Sequence, residues 1–187
     1  MSARLACLGV VATLVLGGSA GAAPLDPELL SRVEGLLGSY RTVTVAEWRA
    51  MGSAAAPVVE AVARDPRALP TRRARALAAL GVVRPDAAAP LIRELASDAT
   101  VPPALRSAAV DAAPGVLGAE APHLLVPLLR DPAPLIRMHS AQALVSTGPA
   151  GCRVVVAEAR TRSSSDPVAR AAGRCDAQLR SGDPPAR

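Results

Sequence analysis

Leu128-Leu129-Arg130-Asp131-Pro132-Ala133-Pro134-Leu135-Ile136-Arg137 decides how the rest of the chain is read. An apolar pair ends one helical pattern, an aspartate with a proline makes a turn, and Pro134 opens a second pattern with Arg137 in its first turn. Proline suits the first helical position, because its missing N–H would have no intrahelical partner and its φ is already helical. Three residues after Arg137 stands the small Ser140. The same Pro-x-x-Arg-x-x-small arrangement recurs at Pro70 with Arg73 and Ala76, Pro103 with Arg106 and Ala109, and Pro167 with Arg170 and Gly173. The arginines are spaced 33, 31 and 33 residues apart. The preceding acids Asp65, Asp98, Asp131 and Asp166 are spaced 33, 33 and 35 apart. Four copies in near-register identify an internal repeat.

Before each aspartate lies a segment with apolar pairs one turn apart and charges between them: Pro57-Val58-Val59-Glu60-Ala61-Val62, Pro90-Leu91-Ile92-Arg93-Glu94-Leu95 and His123-Leu124-Leu125-Val126-Pro127-Leu128-Leu129. This is the 3.6-residue period of a half-buried helix. Pro57, Pro90 and Pro122 fit first turns, whereas Pro127 falls inside its helix and should kink it. The small residue after each arginine is where a neighbouring helix packs closely, and Leu80 and Leu144 fill the interior face. Each unit is therefore a first helix, an aspartate turn and a second helix. Half of the residues are hydrophobic, but the chain has no Phe, one Trp and one Tyr, so Leu, Val and Ala must build the core.

Residues 53 to 180 resemble the HEAT repeat, in the short bacterial form grouped with phycobilin-lyase-like repeats. The Thr-Pro-Leu-His signature of ankyrin repeats and the placed Trp and Tyr of tetratricopeptide repeats are missing. The resemblance implies an all-α fold, a right-handed α-solenoid of about four helical hairpins with an N-terminal helical cap. It also implies a binding surface whose partner is set by exposed side chains. Residues 23–52 form the expected cap, in which Asp26-Pro27-Glu28 opens one helix and Thr44 with Glu47 makes a capping box for a second that stops near Gly52. Residues 181–187 read as a disordered polar tail.

Residues 1–22 read as a secretory signal peptide: Arg4 is the positive start, Leu5 to Leu16 the apolar stretch, and Ala20-Gly21-Ala22 the cleavage site. An uncleaved anchor is the alternative; the apolar run is short for a membrane span. Every basic residue is Arg and none is Lys, which with the Ala and Pro content points to a GC-rich bacterial genome. The expected location is then the periplasm or the exterior of a bacterium. Loss of Arg4 takes the formal charge from +5 to +4, a mild excess that does not call for nucleic acid. Cleavage after Ala22 would leave no membrane span.

The repeated arginine is the first candidate for a role. It sits where the helix dipole disfavours a cation by up to ~1 kcal/mol, so its recurrence implies a compensating anion. One reading is a structural ladder of Asp65, Arg73, Asp98, Arg106, Asp131, Arg137, Asp166 and Arg170, with Arg106 and Arg137 meeting chiefly Asp98 and Asp131 or their neighbours in the stack. The other is a basic strip for an acidic ligand. Tyr40 and Trp48 either seal the first unit or anchor a partner at one end of the concave surface.

His123 and His139 are the only histidines, and the His-Glu dipeptides through which some HEAT-like enzymes bind iron are lacking. No phosphate loop and no G-x-S-x-G elbow is present. No cofactor, metal or catalytic residue is expected, and the resemblance does not carry lyase activity over. The expected function is a protein–protein interaction scaffold in the cell envelope, not an enzyme. The alternatives are a regulatory or accessory subunit of an enzyme and, more remotely, a lyase-like enzyme.

With Cys7 removed in the leader, Cys152 and Cys175 are the remaining cysteines. The last hairpin should turn between Arg160 and Pro167, and each cysteine lies eight residues from its end of that turn. At ~1.5 Å per residue they stand level across antiparallel helices, which places a disulfide there in an oxidising compartment. Two buried thiols in Ala-rich helices are the alternative.

Overall fold

The computed structural model describes residues 26–181, which are all-helical, with no strand among them. The expected leader and residues 182–187 of the expected tail lie outside the described residues, whereas Ser181 is the last residue of a helix. Two helices, α1 (Pro27–Gly38) and α2 (Val45–Met51), precede four pairs. The pairs are α3 (Ala56–Arg64) with α4 (Pro70–Val83), and α5 (Pro85–Ser97) with α6 (Pro103–Leu117). Then come α7 (Ala121–Leu128) with α8 (Pro134–Ser146), and α9 (Pro149–Ala159) with α10 (Pro167–Ser181). Within each pair the helices pack on one another, and the second helices also pack in series, α2 on α4, α4 on α6, α6 on α8 and α8 on α10.

The helix starts follow local chemistry. Pro70, Pro103, Pro134 and Pro167 each take the first position of a second helix. Asp26 caps α1 by accepting the Glu28 N–H at 3.0 Å, and the Thr44–Glu47 capping box opens α2. Pro57 and Pro122 lie in first turns. Pro90 does not: Pro85, after a non-helical Arg84, opens α5 earlier and leaves Pro90 inside the helix. Nor does Pro127 kink a longer helix. α7 ends at Leu128, and the amides of Leu129, Arg130 and Asp131 turn back to carbonyls three residues earlier. A proline that breaks the ladder one residue before the end merely helps to stop the helix.

One continuous core runs along the pairs. Leu77, Leu80, Ile92, Leu105, Leu125 and Leu144 are fully or almost fully buried in it. Ala76, Ala109 and Ser140, the small residues of the repeated motif, have no exposed surface. Small side chains at these points let second helices approach closely. Gly173, their counterpart in α10, is exposed and nothing would meet a Cβ there, because no further pair follows it in the described residues.

Gly148 has φ +93° and turns the chain from α8 into α9, a backbone region that is open to glycine at little cost. Gly151 serves a different need. A Cβ on it would lie 1.9 Å from the Leu144 carbonyl oxygen, so the absent side chain is what lets α9 close against the end of α8. Gly151→Ala is expected to cost about 1–3 kcal/mol through this overpacking. The readout is a lower urea midpoint at unchanged slope; an unmoved midpoint would mean that α9 shifts freely.

Cys152 and Cys175 form a disulfide between α9 and α10, with Cα atoms 5.2 Å apart. Among the described residues no helix is long and apolar enough to cross a membrane.

Candidate functional site

The turn aspartates share one local role. Each accepts, through Oδ1, the N–H two residues on: Asp65 that of Arg67, Asp98 that of Thr100, Asp131 that of Ala133 and Asp166 that of Val168, at 2.8–2.9 Å. Aspartate at a turn does this because its short side chain mimics a backbone carbonyl.

The arginines reach both backward and forward. Arg73 Nε donates to the Ala63 carbonyl at 3.0 Å, and Arg106 Nε donates to Ala96 at 2.9 Å. Both carbonyls lie in the last turn of the preceding first helix, where carbonyls lack intrahelical donors and the dipole favours a cation. The dipole conflict read from sequence is thereby resolved: the guanidinium leaves its own helix N-terminus and sits at the C-terminus of the neighbouring helix. Arg106 Nη2 then reaches Asp131 Oδ2 at 2.5 Å, and Arg137 Nη2 reaches Asp166 Oδ2 at 3.1 Å. Each of these two carboxylate contacts is thus to the neighbouring turn in the stack: Arg106 takes the Asp131 carboxylate and not that of Asp98, and Arg137 takes the Asp166 carboxylate while its Nη1 donates to the backbone carbonyls of Asp131, at 2.9 Å, and Pro132, at 3.1 Å, in its own turn. The aspartate of an arginine's own turn is engaged by local amides, and for Asp98 also by the Thr100 hydroxyl. Those bonds, first of all the hydroxyl, with the nearby Arg106 charge, hold the Asp98 carboxyl below its ordinary range.

The other named residues stay outside this ladder. Among the described residues no ion pair joins Arg73 to Asp98, Asp65 pairs with Arg67 alone, at 3.7 Å, and Arg170 donates to the Ser165 carbonyl at 2.6 Å. Arg162, which the motif does not mark, enters instead. It donates to the Leu129 carbonyl at 2.8 Å and pairs with Glu158 at 2.8 Å and Asp166 at 3.4 Å. It has taken the helix-end carbonyl that corresponds to Ala63 and Ala96, and Arg137 Nε is buried with no acceptor among the described residues.

Burial alone would raise the Asp166 carboxyl. The Val168 N–H and the guanidiniums of Arg137 and Arg162 outweigh it and hold the group below its ordinary value. Glu158 is lowered chiefly by its hydrogen bonds from Arg130, with Arg162 adding to them against burial. A carboxyl depressed in the folded state stabilises fully above its unfolded value, about 3.9 for Asp and 4.3 for Glu. That stability is lost as pH falls through the folded value. The urea midpoint is therefore expected to fall below about pH 4. In Asp166→Asn that fall should be shallower; an equally steep loss would assign it to other groups.

Ser140 carries a further test. Its hydroxyl is fully buried and has no hydrogen-bond partner among the described residues, while the equivalent Ala76 and Ala109 are equally buried. Removing an unsatisfied buried hydroxyl recovers about 1–3 kcal/mol of desolvation cost. Ser140→Ala is expected to raise thermal stability, and a drop would mean that the hydroxyl is bonded in solution.

Opposite the turns, the second helices leave an open face. A groove of about 570 Å³ runs between α4 and α6, floored by Ala78, Gly81, Ala108, Ala112 and Gly115. Val45 and Arg49 of α2 form one wall, and Asp111 stands in the lining. Gly81 brings the helices together, since a Cβ on it would lie 3.0 Å from Val116. A smaller depression of about 220 Å³ adjoins the groove across Ala78, bordered by Tyr40, Arg41, Trp48 and Arg75. The two aromatics part company here: Trp48 is 5% exposed and packs into the core, whereas Tyr40 is fully exposed.

The histidines are far apart in role. His139 Nδ1 lies 2.7 Å from the Asp111 carboxylate, bridging α8 and α6 on the open face. His123 lies in a separate hollow with Arg93 and Glu120. Among the described residues no three His, Cys, Asp or Glu side chains converge as a metal set. The signal that could have found Asp111 is charge complementarity at roughly one repeat: His139 lies 28 residues beyond it, as Glu158 lies 28 beyond its partner Arg130 and Glu120 lies 27 beyond Arg93.

Fold and site together define a class: paired helices stacked through their second members, tied by forward-reaching arginines and stapled by a disulfide at the last pair. The chain matches no protein-family model, no curated protein and no solved structure.

Proposed function

We propose that this chain is an exported HEAT-repeat protein, a right-handed α-solenoid, that acts as a scaffold for protein–protein interaction in the bacterial cell envelope. The repeat reading rests on the four Pro-x-x-Arg segments and on the serial packing of the second helices. The envelope reading rests on the Cys152–Cys175 disulfide, which persists in oxidising compartments, and on the leader-like sequence at 1–22. The observation that carries the function is the groove between α4 and α6. It is open and apolar-floored, the form in which stacked hairpins present a ligand surface.

Site-specific photocrosslinking in cells tests the scaffold. A crosslinker at Ala108 in the groove should trap a discrete protein that one at the exposed Ala61 of α3 does not. No adduct, or the same adduct from both positions, would overturn the reading. Intact mass tests export: cleavage after Ala22 is expected, and a mature chain that retains Arg4 would exclude it.

A further inference from the structure

The groove and the depression beside it form one trough across Ala78, and its charges are not balanced. The Asp111 carboxylate is engaged by His139, and Glu47, next to the trough, by Arg41 at 3.0 Å. Two guanidiniums have no such match. The Arg49 guanidinium on α2 makes no ion pair or hydrogen bond among the described residues, and the residue is exposed. Arg75 on α4 donates to the carbonyls of Leu37, at 3.3 Å, and Ser39, so it is held in place while its charge stays uncompensated. Between these arginines and the far end the lining is mainly alanine, glycine and valine, with Pro85 and the His139-engaged Asp111 among them. Such a floor has room for bulk that an occupant must supply. Fully exposed Tyr40 stands at the arginine end, and Tyr and Arg are the residue types that most often carry binding energy at interfaces.

We propose, on the basis of the scaffold reading above, that this trough binds an acidic segment of a partner protein: a short extended stretch with carboxylates against Arg49 and Arg75 and aliphatic side chains on the α4–α6 floor. From Ala108 to Val116 the floor runs about 12 Å along α6 at ~1.5 Å per residue, which suits roughly three to four extended residues at ~3.3 Å each. The unmatched guanidiniums select carboxylate over ammonium, and the small floor selects aliphatic groups over a polar chain.

The test uses the mature chain and a fluorescein-labelled peptide of alternating glutamate and leucine, beside peptides with glutamine or lysine in place of glutamate. Fluorescence anisotropy should show the glutamate peptide binding, more weakly as salt screens the charges. The lysine peptide should not bind. Arg49→Glu is expected to weaken binding by about tenfold or more. Gly115→Leu should abolish it by filling the groove. That variant is compatible with folding, because a Cβ at Gly115 meets nothing within 4 Å. Binding of the glutamine or lysine peptide as tight as that of the glutamate peptide would overturn the proposal. So would indifference to both substitutions, or no binding at all. A concentration-dependent dimer that Gly115→Leu dissolves would assign the groove to a second copy of this chain and overturn it too. Crosslinks from Ala108 that persist while the peptides fail to discriminate would leave the scaffold standing and remove only the acidic partner.

Discussion

Arg106→Ala should lower the stability of the fold by about 3–5 kcal/mol, the cost of leaving one member of a buried ion pair without the other. Arg106 and Asp131 have side chains only 6% and 5% exposed, and they meet at 2.5 Å between successive units. Truncation strands the Asp131 carboxylate away from water and also removes the Nε–H donor from the Ala96 carbonyl at the end of α5. Urea denaturation reads the effect as a lower midpoint at constant slope. Arg170→Ala is the internal control. It carries the same motif but lies exposed on the last pair, where among the described residues its guanidinium donates to the Ser165 carbonyl alone, so its effect should stay within about 0.5 kcal/mol. Arg106→Met combined with Asp131→Asn should regain much of the loss. Asparagine keeps the acceptor for the Ala133 N–H, and neither buried charge remains. Equal costs for Arg106→Ala and Arg170→Ala would mean that the ladder contributes nothing.

Loss of the Cys152–Cys175 disulfide is expected to cost about 3 kcal/mol from loop-closure entropy. The bond spans 23 residues and joins side chains that are both fully buried. For a chain of this size the loss corresponds to a melting temperature lower by roughly 6–12 °C. Cys152→Ala with Cys175→Ala isolates the crosslink without leaving a reactive thiol. The damage should be local. Among the described residues α10 packs chiefly on α9 and α8, whereas α6 has helices packed on both sides. Hydrogen exchange should therefore speed up first in α9 and α10 and leave α4 and α6 protected. A double variant that melts with the wild type, or loosens uniformly, would refute a staple for the last hairpin.

Sequence carried the helix starts because their causes are local. Pro70, Pro103, Pro134 and Pro167 act on their own turns, and each turn aspartate bonds an amide two residues away. Where two local signals compete, the reading slips: Pro85 and Pro90 both suit a first turn, and the non-helical Arg84 decides for Pro85. The groove was not legible. Ala78 and Ala79 are neighbours of one residue type, yet the first faces open space and the second is fully buried. Alanine has no polar mark that tells one face from the other.

By itself, then, the sequence determined an all-helical chain of repeated hairpins, the turns between them and the pairing of Cys152 with Cys175. Those follow from periodicity, caps and helix rise, which act over a few residues or along one hairpin. Only the tertiary structure decided that Arg106 and Arg137 reach forward to Asp131 and Asp166, that Arg162 takes the Leu129 carbonyl, and that Arg49 and Arg75 border an open trough. An arginine side chain is long enough to meet its own turn or the next. Which it meets depends on how closely the second helices stack, and that spacing is set by residues a whole repeat away.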